Sequence, residues 1–243
     1  MSAAPSTVRP TLLLVHGGHH GSWVWEKLRH ELAGAGWQTE TVDLPSALRD
    51  ESRVEPLPGM FDDARVIRAA IDSIEGPVVV VAHSYAGVPV TQATPGAANV
   101  VHLVYVAAFV PELGESMFGL SGVPTPDSLA GIRMPENPDL NLPAAFFDGD
   151  LDNPETAAAI ARLVPQTIRA DFEGVTEMGW KTIPSSYVIP DNDISVVALV
   201  EEAMAARTGA VYRAVGTHAP FHSHPKEFAA LLETIVSKAG VGN

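Results

Sequence analysis

Residues 77–89 read PVVVVAHSYAGVP, and the fold can be worked out from this stretch outward. Four consecutive valines and an alanine form an all-apolar, β-branched run, which reads as a strand buried on both faces of a parallel sheet. The run ends in His83-Ser84-Tyr85 and turns through Ala86-Gly87 into helix-like sequence. A serine at that point is where the nucleophile elbow of a strand–turn–helix unit sits. The turn crowds the positions two before and two after the serine, so both must be small. Here they are Ala82 and Ala86, where G-x-S-x-G has glycine.

The flanking sequence repeats the same rhythm. Thr11 to Val15 reads as a first buried strand ending in His16-Gly17-Gly18. Trp23 to Trp37 reads as a helix, with Trp25, Leu28 and Leu32 at helical spacing and Gly34 and Gly36 as its stop. Gln38 to Leu44 is a second strand, with Asp43 near its end, followed by a Pro-rich, charged loop to Pro58. Phe61 to Ile74 is an amphipathic helix, and Asp62 and Asp63 in its first turn complement the helix dipole. Val100 to Ala107 is a fourth strand. Alternating strands and helices predict an α/β fold built on a mostly parallel, doubly wound sheet.

The rhythm breaks at Pro111. From there to about Pro184 the chain is dense in Pro, Gly, Asp and Asn, with one clear helix at Pro154 to Leu163. Met117, Phe118, Leu120, Phe146, Phe147 and Trp180 are scattered through it. Such a segment predicts a small cap (residues 111–183) inserted after the fourth strand, over the carboxyl edge of a core formed by residues 1–110 and 184–243. The rhythm then resumes with a strand at Ser185 to Ile189 and a helix at Ile194 to Arg207 closed by Gly209. A last strand at Ala210 to Val215 and a closing helix at Pro225 to Lys238 give about six strands in all.

Composition narrows the function. The 243 residues suit one large α/β domain with an insertion. A formal net charge of −14 argues against nucleic acid, an anionic membrane surface or a large polyanionic substrate as partner. The chain has no cysteine, which excludes disulfides, thiolate catalysis and cysteine-ligated metal. No apolar run approaches membrane-spanning length, and the amino terminus lacks a charged start followed by an apolar core, so a cytoplasmic protein, monomer or homodimer, is expected.

In parallel sheets ligands gather at the carboxyl ends of the strands, so the residues just past each strand are the informative ones. They include Gly17-Gly18, Ser84, Asp191 and Asp193, and His218. Serine, acid and histidine in that order, each on a post-strand loop, are the parts of a hydrolytic triad. Serine needs an imidazole as base, and the imidazole needs a carboxylate to fix its tautomer. His222 and His224 stand at the entrance to the closing helix, where capping or solvation is the simpler role. The amide of Tyr85 and that of Gly18, or else Gly17, can hold an oxyanion. The glycine pair lacks the spacing and the lysine of a phosphate-binding loop. The histidines at 19, 20, 218, 222 and 224 have no acidic residue interleaved at ligand spacing, so neither metal nor cofactor is expected. His16 and His83 read as structural, and His20 as orienting the glycine loop. Trp23 and Trp25 read as packing. Phe109, Phe118, Phe147 and Trp180 either line a substrate pocket or form the cap's own small core.

These motifs carry a resemblance. HGGHHGSWVW is similar to the HGxxHGxWxW start of the plant methylesterase and hydroxynitrile lyase branch of the α/β-hydrolases. AHSYAG resembles that branch's GHSxGG elbow, and YVIPDND and GTHAPFHSHP resemble its acid and histidine loops. The similarity runs through nearly the whole chain and is weakest in the cap. It implies an α/β-hydrolase fold with a small cap, Ser84 as nucleophile, His218 as base, Asp193 as acid, Gly18 and Tyr85 as oxyanion donors, and His19 at the pocket. Ala219 stands where the lyases of that branch carry a lysine, which favours hydrolysis. The expected function is cofactor-independent cleavage of a small to medium, largely apolar carboxylic ester through an acyl-enzyme. The alternatives are a lyase, a cyclase or a cofactor-free oxygenase using His218 and Asp193 as base, or a non-catalytic small-molecule binding module.

Overall fold

The valines of residues 78–81 divide between two cores, and that division organises the molecule. In the computed structural model, which describes residues 8–50, 52–135, 147, 154–196 and 198–241, Val78 and Val80 belong to one apolar cluster and Val79 and Val81 to a second. All four are inaccessible to solvent. Their strand, β3 (Val78–His83), lies inside a six-stranded sheet with β1 (Thr11–Val15), β2 (Thr39–Val42), β4 (Val100–Val106), β7 (Ser185–Pro190) and β8 (Ala210–Ala214). The order is β2-β1-β3-β4-β7-β8, and every pairing is parallel. The neighbours of β3 alternate in the same way. Leu13, Leu103 and Tyr105 join the first cluster, while Leu12, Leu14, Val104 and Val106 join the second. A period of two on a sheet covered on both faces produces this split.

The first cluster is closed by helices α2 (Met60–Ser73) and α3 (Gly87–Ala93) and the second by α1 (Glu26–Gly34) and the closing helix Pro225–Lys238. The sheet is thus doubly wound, as the alternating sequence predicts. Three helices are shorter than the sequence suggests, among them the one expected at Pro154 to Leu163, which spans Pro154–Ile160. Residues Ser22–Trp25 form a tight 3-10 turn ahead of α1. The helix expected from Ile194 is described at Ala198–Ala205, because the Asp193 carboxylate accepts the amides of Ser195 (2.7 Å) and Val196 (3.2 Å) and holds them in a turn.

Between β4 and β7 the chain leaves the sheet. It forms α4 (Met117–Leu120), the two-residue strands β5 (Ile132–Arg133) and β6 (Gln166–Thr167), and the helices α5 (Pro154–Ile160) and α6 (Ile168–Phe172). β5 and β6 pair antiparallel. This excursion is fastened to the loops that follow β1 and β2. The Val164 amide donates to the His19 carbonyl (2.9 Å), the Thr167 amide to the Ser46 carbonyl (3.1 Å), and the Leu48 amide to the Pro165 carbonyl (2.8 Å). It therefore lies at the carboxyl end of the sheet. Phe146 lies outside the described residues.

Candidate active site

β3 runs straight into a 3-10 turn, Ser84–Ala86, and then into α3. Ser84 sits in that turn at φ +54°, a left-handed conformation that a non-glycine residue keeps only when its surroundings enforce it. The enforcement is visible. The Phe109 amide donates to the Ser84 carbonyl at 3.2 Å, and a Cβ at Gly87 would stand 2.0 Å from the Phe109 carbonyl oxygen. Only glycine fits there. Ala82 and Ala86 are both buried, as the crowding argument requires.

His218 and Asp193 meet from the loops after β8 and β7. His218 Nδ1 lies 2.6 Å from Asp193 Oδ2, and both side chains are shielded from solvent. Asp193 Oδ1 takes the Ser195 and Val196 amides. Burial opposes the charge on Asp193, but His218 and those amides outweigh it and hold the carboxyl below its ordinary range. A carboxylate so placed receives the Nδ1–H of a neutral imidazole and leaves Nε2 as the basic atom. Asp191 is exposed and lies 3.6 Å from Arg213. His222 packs against the rings of Trp23 and Phe147, and His224 sits at the start of the closing helix.

Three buried histidines shape the rest. His83 donates from Nε2 to the His218 carbonyl (3.0 Å), and its ring lies 4.6 Å from that of His218. His16 accepts the Leu44 amide at Nε2 (3.0 Å) and donates from Nδ1 to the Gly17 carbonyl (2.9 Å). That arrangement requires a neutral ring, and burial pushes His16 down to about 4 even though Asp43 lies 3.8 Å away. His20 Nδ1 bonds the Gly18 carbonyl at 2.6 Å. A Cβ at Gly17 would lie 2.8 Å from His83 Nδ1 and 3.0 Å from Ser84 Cβ, so this loop passes close over the elbow.

A further set of buried polar groups joins the two sides of the serine. Tyr85 Oη donates to Asp63 Oδ2 (2.6 Å), Ser46 Oγ donates to the same oxygen (2.5 Å), and the Ser46 amide donates to Oδ1 (2.9 Å). Gln166 Nε2 donates to Ser46 Oγ (2.8 Å), while Gln166 Oε1 accepts the His19 amide (3.3 Å). Asp63 was expected as a dipole partner at a helix start and is instead fully buried. Burial pushes its carboxyl up to about 7, against the pull of the Ser46 and Tyr85 hydrogen bonds.

Ser84 and His218 open on one cavity, with Gly18, His19 and Tyr85 beside them. Its apolar walls are Phe109, Met117, Phe118 and Val196, and its free space is ≈ 520 Å³ with the open mouth included. Ser121, Arg133 and Ser195 add polar atoms that the sequence did not single out. Phe147 and Trp180 do not line it. Phe147 packs among His20, Trp23 and His222, and Trp180 donates its indole N–H to the Pro111 carbonyl at 2.8 Å. Both aromatic residues serve packing here.

The model that describes the alpha/beta hydrolase family matches residues 12–231. The chain belongs to the alpha/beta hydrolase family. Alpha/beta hydrolase nvfD of Aspergillus novofumigatus (strain IBT 16806) is 26% identical over 252 residues, covering 96% of this chain and 98% of that relative. Methylesterase 9 of Arabidopsis thaliana is 34% identical over 105 residues, 41% of this chain and 40% of its own length. Among solved structures, polyneuridine aldehyde esterase superposes with a TM-score of 0.76 at 19% identity, covering 94% of this chain and 99% of its own. The fold expected from the sequence is the fold of the family.

Proposed function

We propose that this alpha/beta hydrolase cleaves a carboxylic ester of a small to medium, largely apolar molecule. The observation that carries the reading is the buried 2.6 Å contact between His218 Nδ1 and Asp193 Oδ2, with Ser84 and His218 facing the same apolar cavity. Nε2 of His218 takes the Ser84 proton as Oγ attacks the ester carbonyl. The amides of Gly18 and Tyr85 hold the oxyanion, and His218 returns the proton to the departing alcohol. Water, deprotonated by His218, then splits the acyl-enzyme and restores Ser84. Residues 111–183 act as the cap, since Met117, Phe118 and Arg133 supply part of the cavity wall. The names of relatives support ester chemistry, among them the Arabidopsis methylesterase and the rice esterase PIR7B, 25% identical over 96% of this chain.

The test compares wild type with Ser84→Ala on p-nitrophenyl acetate and butyrate, beside labelling by a fluorophosphonate. The reading expects turnover and a label on Ser84 in wild type and neither in a folded Ser84→Ala protein. Turnover that survives the substitution would overturn the serine mechanism and favour His218–Asp193 base chemistry.

A further inference from the structure

Arg133 comes from the two-residue strand β5 and stands in the wall of the cavity above Ser84. Its guanidinium is held on three sides. Nε and Nη2 donate to Asp171 Oδ2 (2.8 Å) and Oδ1 (3.0 Å), and Nη1 donates to His19 Nε2. The Phe118 ring lies beneath it, 5.0 Å from Cζ to the ring centroid, and Phe118 in turn meets the edge of Phe172 at 5.2 Å. His19 can accept at Nε2 because its Nδ1–H is committed to the Val164 carbonyl at 2.9 Å. Burial, reinforced by Arg133, pushes His19 down to about 3, so the ring stays neutral.

A guanidinium carries more N–H groups than these contacts use. One hydrogen on each Nη has no acceptor among the described residues, and the side chain keeps 19% of its exposure while Asp171 behind it keeps 1%. The group is therefore anchored from behind and open toward the cavity. Asp171 balances its charge, so the cavity as a whole does not act as an anion trap. What remains is a rigid pair of donors in a chamber whose other walls are mostly apolar. An apolar ligand end placed against them strips their water and gives nothing back, whereas an oxygen acceptor completes them. That asymmetry separates substrates more sharply than a change of size does.

We propose that Arg133 selects esters whose apolar body ends in a hydrogen-bond-accepting oxygen, carbonyl or carboxylate, held by the two Nη hydrogens that meet no acceptor among the described residues. The proposal rests on the ester-hydrolase reading for the reaction but not for the binding. The neighbouring positions sharpen it: His19 is itself held at φ +64°, with its amide on Gln166, so the acceptor of Nη1 is fixed in place before any ligand arrives.

The experiment uses methyl phenylacetate and its meta- and para-substituted acetyl and carboxylate forms, with wild type, Arg133→Met, and Arg133→Met combined with Asp171→Asn. The double variant avoids leaving a buried carboxylate alone, and melting curves check that each variant folds. Wild type should favour one or more acceptor-bearing esters over the parent by about tenfold or more in kcat/KM, and both variants should bring that ratio near unity. A gain with acetyl identifies a neutral carbonyl as the ligand, and a gain with carboxylate alone identifies an anion. No preference in wild type, or a preference that persists in the folded variants, overturns the proposal. Calorimetric binding of the same intact esters to Ser84→Ala, with and without Arg133→Met, reads the same ratio without turnover. If wild type hydrolyses none of the esters, the reaction assignment fails while the Arg133 assignment is still decided by binding.

Discussion

Tyr85 Oη donates to Asp63 Oδ2 across 2.6 Å, both groups fully buried, and thereby ties the residue after the elbow serine to helix α2. The same carboxylate receives Ser46, and through Gln166 the chain of bonds reaches the His19 amide on the glycine loop. The two backbone segments assigned to oxyanion binding thus share one buried polar assembly.

Tyr85→Phe removes one donor from Asp63 and leaves the ring in place. Asp63 Oδ2 keeps the Ser46 hydroxyl, so the loss is that of one hydrogen bond, about 0.5–1.5 kcal/mol. The expected outcome is a lower denaturation midpoint by urea, together with a fall in kcat larger than the change in KM, because the Tyr85 amide is no longer anchored. An unchanged midpoint and unchanged kcat would show that the assembly does not hold the elbow.

Glu201 supplies a prediction about pH. It is 2% exposed, Oε1 has no hydrogen-bond partner among the described residues, and its neighbours in charge are Asp193, Tyr187 and Arg213. Burial pushes its carboxyl up to about 8, the negative charge of Asp193 adds to this, and Arg213 opposes it. The unfolded chain releases this proton near 4.5, so between about 4.5 and 8 the folded state binds the proton and the unfolded state does not. Stability from this group is therefore present at low pH and is lost as pH rises through that window. Glu201→Gln keeps the shape and removes the ionisation. Thermal melts should show the variant more stable than wild type at pH 8.5 and close to it at pH 4, within about 1 °C. A constant difference at both pH values would refute the assignment.

The two aspartates of the loop after β7 should separate cleanly. Asp193→Asn allows the wrong His218 tautomer and should lower kcat by about a thousandfold to ten-thousandfold. Asp191→Asn touches only an exposed pairing with Arg213 and should change kcat by less than about twofold. Steady-state kinetics on one chromogenic ester checks both, and equal losses would sink the assignment of Asp193.

What the sequence reveals and what it hides follow from the range of the interactions. The strands are legible because a strand covered on both faces must be a continuous apolar run, as residues 78–81 are. Ser84 and His218 meet at one cavity, with Asp193 on His218, because a parallel sheet gathers its post-strand loops at one end. Asp63 was not legible, because an acid in the first turn of a helix looks the same whether it faces solvent or a tyrosine hydroxyl. Arg133 and Gln166 lie on strands of two residues, too short for any period to show. Aromatic residues in the excursion read equally as wall or filler. For Trp180 the deciding fact is its bond to the Pro111 carbonyl, 69 positions away.

The glycine loop offers the sharpest steric test. A methyl at Gly18 would meet Tyr85 Cβ at 3.7 Å and Gln166 Cδ at 3.9 Å, which are ordinary contacts. A methyl at Gly17 would meet His83 Nδ1 at 2.8 Å and Ser84 Cβ at 3.0 Å, which requires movement. The His83 ring cannot yield freely, because it bonds the His218 carbonyl and packs on the His218 ring. Displacement therefore passes to both Ser84 and His218, and a shift of about 1 Å in reacting groups can cost about a hundredfold in rate. Gly17→Ala should lose about two orders of magnitude in kcat along with some thermal stability, while Gly18→Ala keeps its melting temperature and changes chiefly KM. If Gly17→Ala matched Gly18→Ala in both kcat and melting temperature, the close passage of this loop over the elbow would have no part in holding the serine.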